Sequence, residues 1–206
     1  MPAPQTSLRS HDVRPALGHV NLMVDTFIAN ANVDDLRSIV RSLLSTNSPN
    51  LAMAFTTAAR SRLRQTNAKV ALNPYSLFIP QSQVTPAMPT QNLRDILTRA
   101  RALYGAGLGF ASLGVLAMVV RASIGLRWDD DGDMADLLAV IDADIGQAIQ
   151  SSKEEIEGGR VENFASAREV VDDLRAAVKE SQSDVKGWGG EFPFERAASS
   201  LEFWKI

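Results

Sequence analysis

The sequence has no cysteine and only two histidines among its 206 residues. Without cysteine there can be no disulfide bond, no thiolate metal site and no cysteine nucleophile. The histidines, His11 and His19, lie near the N-terminus with no obvious nucleophile or metal ligand beside them. We identify no catalytic residue and no cofactor-binding residue, and the sequence favours, without proving, a protein that is not an enzyme.

The N-terminal residues also lack the apolar core that a secretory signal peptide needs. Residues 1–14 carry no helical apolar pattern, and we expect a disordered tail there. The absence of a signal peptide and of cysteine predicts an intracellular protein that is not secreted, in a compartment that the sequence does not identify.

Strand signals are equally scarce. Apolar residues recur three and four positions apart nearly everywhere and do not alternate with a period of two. Hydrophobic residues make up 45% of the chain, which is enough to bury a sizeable core. We therefore predict an all-α fold in which residues 15–206 form a single helical domain.

Residues 68–89 are the exception to the helical pattern. Four prolines in this stretch forbid a regular helix and favour an extended path. Tyr75, Leu77, Phe78 and Ile79 make it too apolar for a free linker. We predict a strap that lies across the helices, or a segment that docks a partner.

The charge of the chain changes sign near its middle. Residues 1–127 contain 13 basic and 5 acidic side chains, a net charge of +8, whereas residues 128–206 contain 8 and 19, a net charge of −11. Opposite charges attract, so we expect the basic and acidic parts to meet within one chain or head to tail between chains. A contact between chains would make the protein a homo-oligomer or a subunit of a complex.

Nineteen consecutive residues, Ala102–Val120, carry no charge. They predict an apolar helix over about 102–126 at the centre of a bundle formed by the basic part of the chain, residues 15–127. This helix is either continuous with the preceding one or separated from it by a break near Gly105 and Gly107. The run is also long enough to span a membrane. A membrane-associated protein that inserts residues 102–120 is therefore the main alternative.

The acidic part predicts an antiparallel helical hairpin over about 133–185. One amphipathic helix runs from about residue 133 to 157, and Gly158 and Gly159 end it. The second helix, from about 162 to 185, has apolar residues at the alternating spacing of a coiled coil.

Aromatic and apolar side chains on the second hairpin helix and in the C-terminal segment are the predicted interaction residues, because aromatic side chains make good interface anchors when they are not core. They are Phe164, Val171, Leu174, Val178, Trp188, Phe192, Phe194, Phe203 and Trp204.

An aspartate cluster gives the weak candidates for a metal site. Asp129, Asp130 and Asp133 match the DDxxD pattern and so resemble the magnesium motif of all-helical prenyl-diphosphate enzymes, in which carboxylates hold Mg²⁺ against phosphate oxygens. The alternative, which we favour, is an acidic start of a helix that complements the helix dipole.

The basic segment around Arg60, Arg62 and Arg64 has the proportions of a helix-turn-helix. The start of its second helix carries no basic residue, so nucleic acid is not an expected partner.

The features of the whole sequence together predict a non-enzymatic interaction or scaffold protein that self-associates or joins a complex. A magnesium-dependent diphosphate enzyme is the least favoured alternative.

Overall fold

The structure is a computed structural model that describes residues 22–46, 48–67, 73–82 and 85–206. The described residues form eight α-helices and one pair of very short strands, which confirms the prediction of an all-α fold. Contacts divide the chain into two compact units, Met1–Ala52 and Met53–Ile206, a division that the expectation of one domain did not include. The expected tail at 1–14 and both histidines lie outside the described residues.

The helices, in chain order, are α1 (Leu22–Asn30), α2 (Val33–Thr46), α3 (Pro49–Asn67), α4 (Gln91–Gly105), α5 (Gly109–Ser123), α6 (Asp133–Glu157), α7 (Phe164–Trp188) and α8 (Glu195–Phe203). The strands β1 (Phe78–Ile79) and β2 (Met88–Pro89) pair antiparallel, with Phe78 opposite Pro89. The bounds of α6 are those predicted, whereas α7 begins and ends two or three residues later than expected.

Local capping explains where several helices begin. The Asn32 side chain accepts a hydrogen bond of 3.0 Å from the amide of Asp34 at the start of α2. The hydroxyl of Thr90 accepts one of 3.3 Å from the amide of Leu93 at the start of α4. Both bonds satisfy amides that the first turn of a helix leaves free. Asparagine and threonine are both among the residue types that favour this capping position.

The strap predicted at 68–89 is described over residues 73–82 and 85–89. Its Leu77, Phe78 and Ala87 side chains belong to the hydrophobic core. The amide of Ala87 donates to the carbonyl of Arg127 at 3.0 Å, which fixes the strap to the segment before α6. The described strap therefore lies against the helices.

The uncharged run does not form one helix over 102–126, because it is broken between α4 and α5. The amide of Gly107 donates to Tyr104 and the amide of Leu108 donates to Leu103, each at 3.0 Å. Gly107 has a positive φ of 77°. These bonds form a Schellman motif, which ends a helix and is easiest with glycine at the left-handed position. The central apolar helix is α5, and it is buried along nearly its whole length.

Helix α5 is the main partner of the helices around it. It packs against α4, α6 and α7, and α8 packs against both α6 and α7. The predicted hairpin helices are present, but α6 and α7 do not pack closely on each other. The apolar stripe of α7 therefore faces α5, because α5 offers an apolar surface on every side.

The basic and acidic parts of the chain meet within the second unit. Arg121 pairs with Asp173 at 2.6 Å, and Arg127 pairs with Asp184 at 3.0 Å. Each pair joins the segment around α5 to α7. Basic and acidic side chains therefore form ion pairs within one chain, which is the first of the two arrangements expected from the sequence.

Candidate functional site

Apolar side chains at helical spacing are exposed in the first unit. Phe27 is 49% exposed and Leu43 is 48% exposed, and α2 buries none of its residues. The large apolar residues of this unit that are exposed, here named the N-terminal stripes, are Val24, Phe27, Ile28, Val33, Ile39, Leu43 and Leu51.

The N-terminal stripes are unusual for a protein that acts alone. Apolar residues three and four positions apart form one helix face, and such a face normally packs against another apolar surface. Monomeric proteins rarely expose large contiguous apolar areas.

Helical spacing alone would place these apolar faces in a core. Leu51 and Phe55 have that spacing on α3, yet both are exposed. Periodicity identifies the apolar face of a helix, but it carries no information about what covers that face. The stripes are therefore a candidate binding surface that sequence reasoning missed.

The nine predicted interaction residues fall into three groups. Exposure is 51% for Phe164 and 78% for Phe203, so these two stay candidates for contact with a partner. Trp188 and Phe192 are half-buried and pack against the core. The remaining residues are buried in the core of the second unit, where α5, α6 and α8 cover them: Val171, Leu174, Val178, Phe194 and Trp204.

The aspartates of the predicted magnesium site lie at and just before the start of α6. A carboxylate oxygen of Asp130 accepts a hydrogen bond of 3.2 Å from the amide of Glu191, and Asp133 lies in the first turn of α6. Asp129, Asp130 and Asp133 do not form a metal-binding group, and none of three or more such side chains occurs among the described residues. Of the three aspartates only Asp133 lies in the first turn of α6, where it complements the helix dipole, and the N-cap residue Gly132 supplies no capping side chain.

The membrane alternative depended on residues 102–120 forming one long helix. The break at Gly107 divides this run between two helices of 15 residues each. Within the described ranges, no helix is both long enough and apolar enough to span a bilayer.

A cleft of about 700 Å³ lies between the strap, α4 and the start of α6. Leu97, Leu137 and Val140 give it an apolar wall, and its volume is in the range of ligand sites. Arg101 in its lining is already engaged, because it donates to Asp144 at 2.8 Å. The cleft therefore combines an apolar wall with charged side chains, which are Arg94, Asp129, Asp133 and Asp136 besides the engaged Arg101.

Two buried carboxylates on α6 cap other helices. The Asp142 side chain accepts a 2.9 Å hydrogen bond from the amide of Ala197 in α8, and Glu155 accepts one of 3.4 Å from the amide of Phe110 in α5. Neither α5 nor α8 has a capping side chain of its own. Burial raises the pKa of both carboxyl groups, because it disfavours the charged form, while the amide hydrogen bonds act in the opposite direction.

We expect Glu155→Gln to be at least as stable as the wild type at neutral pH, with a gain of up to about 1 kcal/mol. Glutamine keeps an acceptor for Phe110 without burying a charge. Folding raises the pKa of Glu155, so the folded state favours the protonated carboxyl group. The stability that this group contributes is fully present below the unfolded pKa of about 4.3 and is lost as the pH rises through the pKa of the folded state. The advantage of the variant should therefore shrink on acidification.

Urea unfolding of both proteins at a series of pH values measures this difference. Glu157→Gln, an exposed position on the same helix, is the matched control and should show no such pH trend. A stability difference for Glu155→Gln that grows on acidification would contradict the assignment.

Comparison with known proteins adds no function to this geometry. The chain matches no protein-family model, no curated protein and no solved structure. A function has to follow from the side chains themselves.

Proposed function

We propose that this protein is a non-enzymatic interaction protein whose first unit binds another protein through the N-terminal stripes. The observation that carries the proposal is the exposure of these apolar faces on α1 and α2, with no residue of α2 buried. Amphipathic helices of this kind are recognised by laying their apolar face against a second apolar surface.

The energy available from the stripes is sufficient for association. Complete burial of a fully exposed large apolar side chain contributes about 1.5–3 kcal/mol, and Phe27, which is 49% exposed, would contribute roughly half of that at an interface. Association costs at least about 4 kcal/mol in lost translational and rotational freedom. Burial of several stripe residues at once therefore exceeds this cost.

A second copy of the chain is the partner we propose. Two identical surfaces can pair around a two-fold axis, which is the commonest arrangement of soluble oligomers. Charge does not oppose this pairing, because Arg37 on α2 is neutralised by Asp34 at 2.8 Å. The stripe on α2 can therefore meet its own copy without repulsion between like charges.

Leu43→Glu tests the proposal, because it places a charge within the stripe of α2. We expect the wild type to exceed the 22.3 kDa of one chain in light scattering coupled to size exclusion. The variant should weaken self-association at least about a hundredfold. Each pair of chains loses two leucines from the proposed interface, and every 1.4 kcal/mol lost raises the dissociation constant tenfold.

Ser38→Glu is the matched control on the opposite side of α2, and it should associate like the wild type. Circular dichroism of all three proteins establishes that the helices are retained. A wild type that stays at the mass of one chain at every concentration tested would overturn self-association. Equal weakening by both variants would remove the stripe as its cause.

A further inference from the structure

Three arginine side chains line a second cleft, of about 500 Å³, between α3 and the turn that joins α6 to α7. All of its lining belongs to the second unit. The residues of this arginine cleft are Thr57, Arg60, Ser61, Arg64, Gln65, Gly159, Arg160 and Glu162.

The sequence of α3 places its part of the lining on one helix face. Thr57, Arg60, Ser61 and Arg64 are separated by three and four positions, so their side chains are neighbours. Arg62 breaks this spacing and does not line the cleft. The face therefore combines two guanidinium groups with two hydroxyl groups.

The turn after α6 supplies the third guanidinium. Gly159 takes a positive φ of 63°, and Arg160 follows it. One terminal nitrogen of Arg160 donates to the carbonyl of Glu154 at 2.9 Å, which holds the side chain. Its Nε is buried and has no hydrogen-bond partner in the part of the chain that the structure describes.

Acidic groups neutralise these arginines only in part. The closest nitrogen of Arg64 lies 3.7 Å from an oxygen of Glu162, which is too long for a hydrogen bond. Glu155, which the charges of Arg64 and Arg160 also reach, is turned towards the amide of Phe110. Arg60 donates from its Nε to the carbonyl of Thr56 at 3.3 Å and forms no ion pair with the described acidic residues. The cleft therefore keeps positive charge that the described acidic groups do not neutralise.

We propose that the arginine cleft binds an anion that carries phosphate groups. The planar guanidinium fork matches two phosphate oxygens, and such charge-assisted hydrogen bonds are stronger than neutral ones. The hydroxyls of Thr57 and Ser61 add neutral donors beside them. A free phosphate compound or the phosphates of a nucleic-acid strand could present this chemistry.

Calorimetric titration of the full chain with pyrophosphate at constant ionic strength tests the site. Arg60→Gln should weaken binding about tenfold or more, the scale of one lost charge-assisted hydrogen bond. Glu162→Gln should tighten binding, because it removes the carboxylate that competes for Arg64. Arg62→Gln is the matched control, with the same loss of charge on the same helix, and it should bind like the wild type.

Two results would overturn the site. One is the absence of pyrophosphate binding by the folded wild type, and the other is an equal loss in Arg60→Gln and Arg62→Gln, which would mean attraction to the whole surface. Thermal unfolding of each variant checks that the fold is kept. Leu43→Glu should bind pyrophosphate normally, so this proposal can fail or succeed independently of self-association.

A second titration, with a short single-stranded oligonucleotide, identifies the source of the phosphate. Both sources support the site if Arg60→Gln weakens binding and Arg62→Gln does not. A free phosphate compound is indicated if the oligonucleotide binds no better per phosphate than pyrophosphate does. A nucleic-acid strand is indicated if its affinity per phosphate is higher and falls steeply with salt.

Discussion

Phe194→Ala should lower the free energy of unfolding by about 3–5 kcal/mol. Phe194 is fully buried, and its ring contacts that of Phe192 edge to face, with 5.9 Å between the ring centroids. It is also the N-cap residue, immediately before the first residue of α8, and α8 packs against α6 and α7. Alanine would leave a cavity where three helices meet. Chemical denaturation followed by circular dichroism measures the loss.

Phe203→Ala is the matched control for this prediction. The substitution is chemically the same and lies at the opposite end of α8, but Phe203 is largely exposed. Surface substitutions usually change stability by less than about 0.5 kcal/mol. Similar losses at both positions would contradict the burial of Phe194.

These two phenylalanines also mark a limit of the sequence analysis. Both belong to the aromatic segment that was predicted as an interaction surface, and only Phe203 is free to contact a partner. The sequence required the aromatics to cover something apolar, but which of them do so depends on how α8 docks. Docking is set by tertiary contacts that local spacing does not encode.

Features that depend on neighbouring residues were predictable. The cap at Thr90 and the bounds of α6 follow from side chains within a few positions, because helix starts and stops are governed by local hydrogen bonds and backbone freedom. The burial of Leu93 and Leu97 on one face of α4 follows from the helical period.

Features that depend on distant residues were not predictable. The coiled-coil spacing of α7 identified its apolar stripe correctly, but not that α5 covers it. The capping roles of Asp142 and Glu155 were missed, because their partners lie 55 and 45 positions away in the sequence. A carboxylate beside the apolar stripe of α6 was the only available signal, and it did not identify the amide that it binds.

Gly109→Ala should destabilise the second unit by about 3 kcal/mol, at the upper end of the usual cost of overpacking. A Cβ atom added at Gly109 would lie 2.3 Å from the amide nitrogen of Ser152 and 2.6 Å from its Cα. These are backbone atoms of α6, so they cannot rotate away as a side chain could. Relief of the contact requires α5 and α6 to separate.

Gly114→Ala is the control for this effect on the same helix. Apart from its two chain neighbours and the backbone of its own helix, no atom of the described residues lies within 4 Å of the position that its Cβ would take. Alanine is preferred over glycine inside a helix by roughly 0.5–1 kcal/mol, so this variant should be slightly more stable than the wild type. Urea unfolding measures the free energy of unfolding, which should fall in Gly109→Ala and rise slightly in Gly114→Ala. A Gly109→Ala variant as stable as Gly114→Ala would disprove the close approach of α5 to α6.

The close approach at Gly109 also predicts coupling to the cap on α5. Glu155 accepts the amide of Phe110, the residue next to Gly109, so separating α5 from α6 should break that hydrogen bond as well. Glu155→Gln should then change the stability of Gly109→Ala less than it changes that of the wild type. A double-mutant cycle measures the difference, and strictly additive effects would mean that the cap survives the displacement of α5.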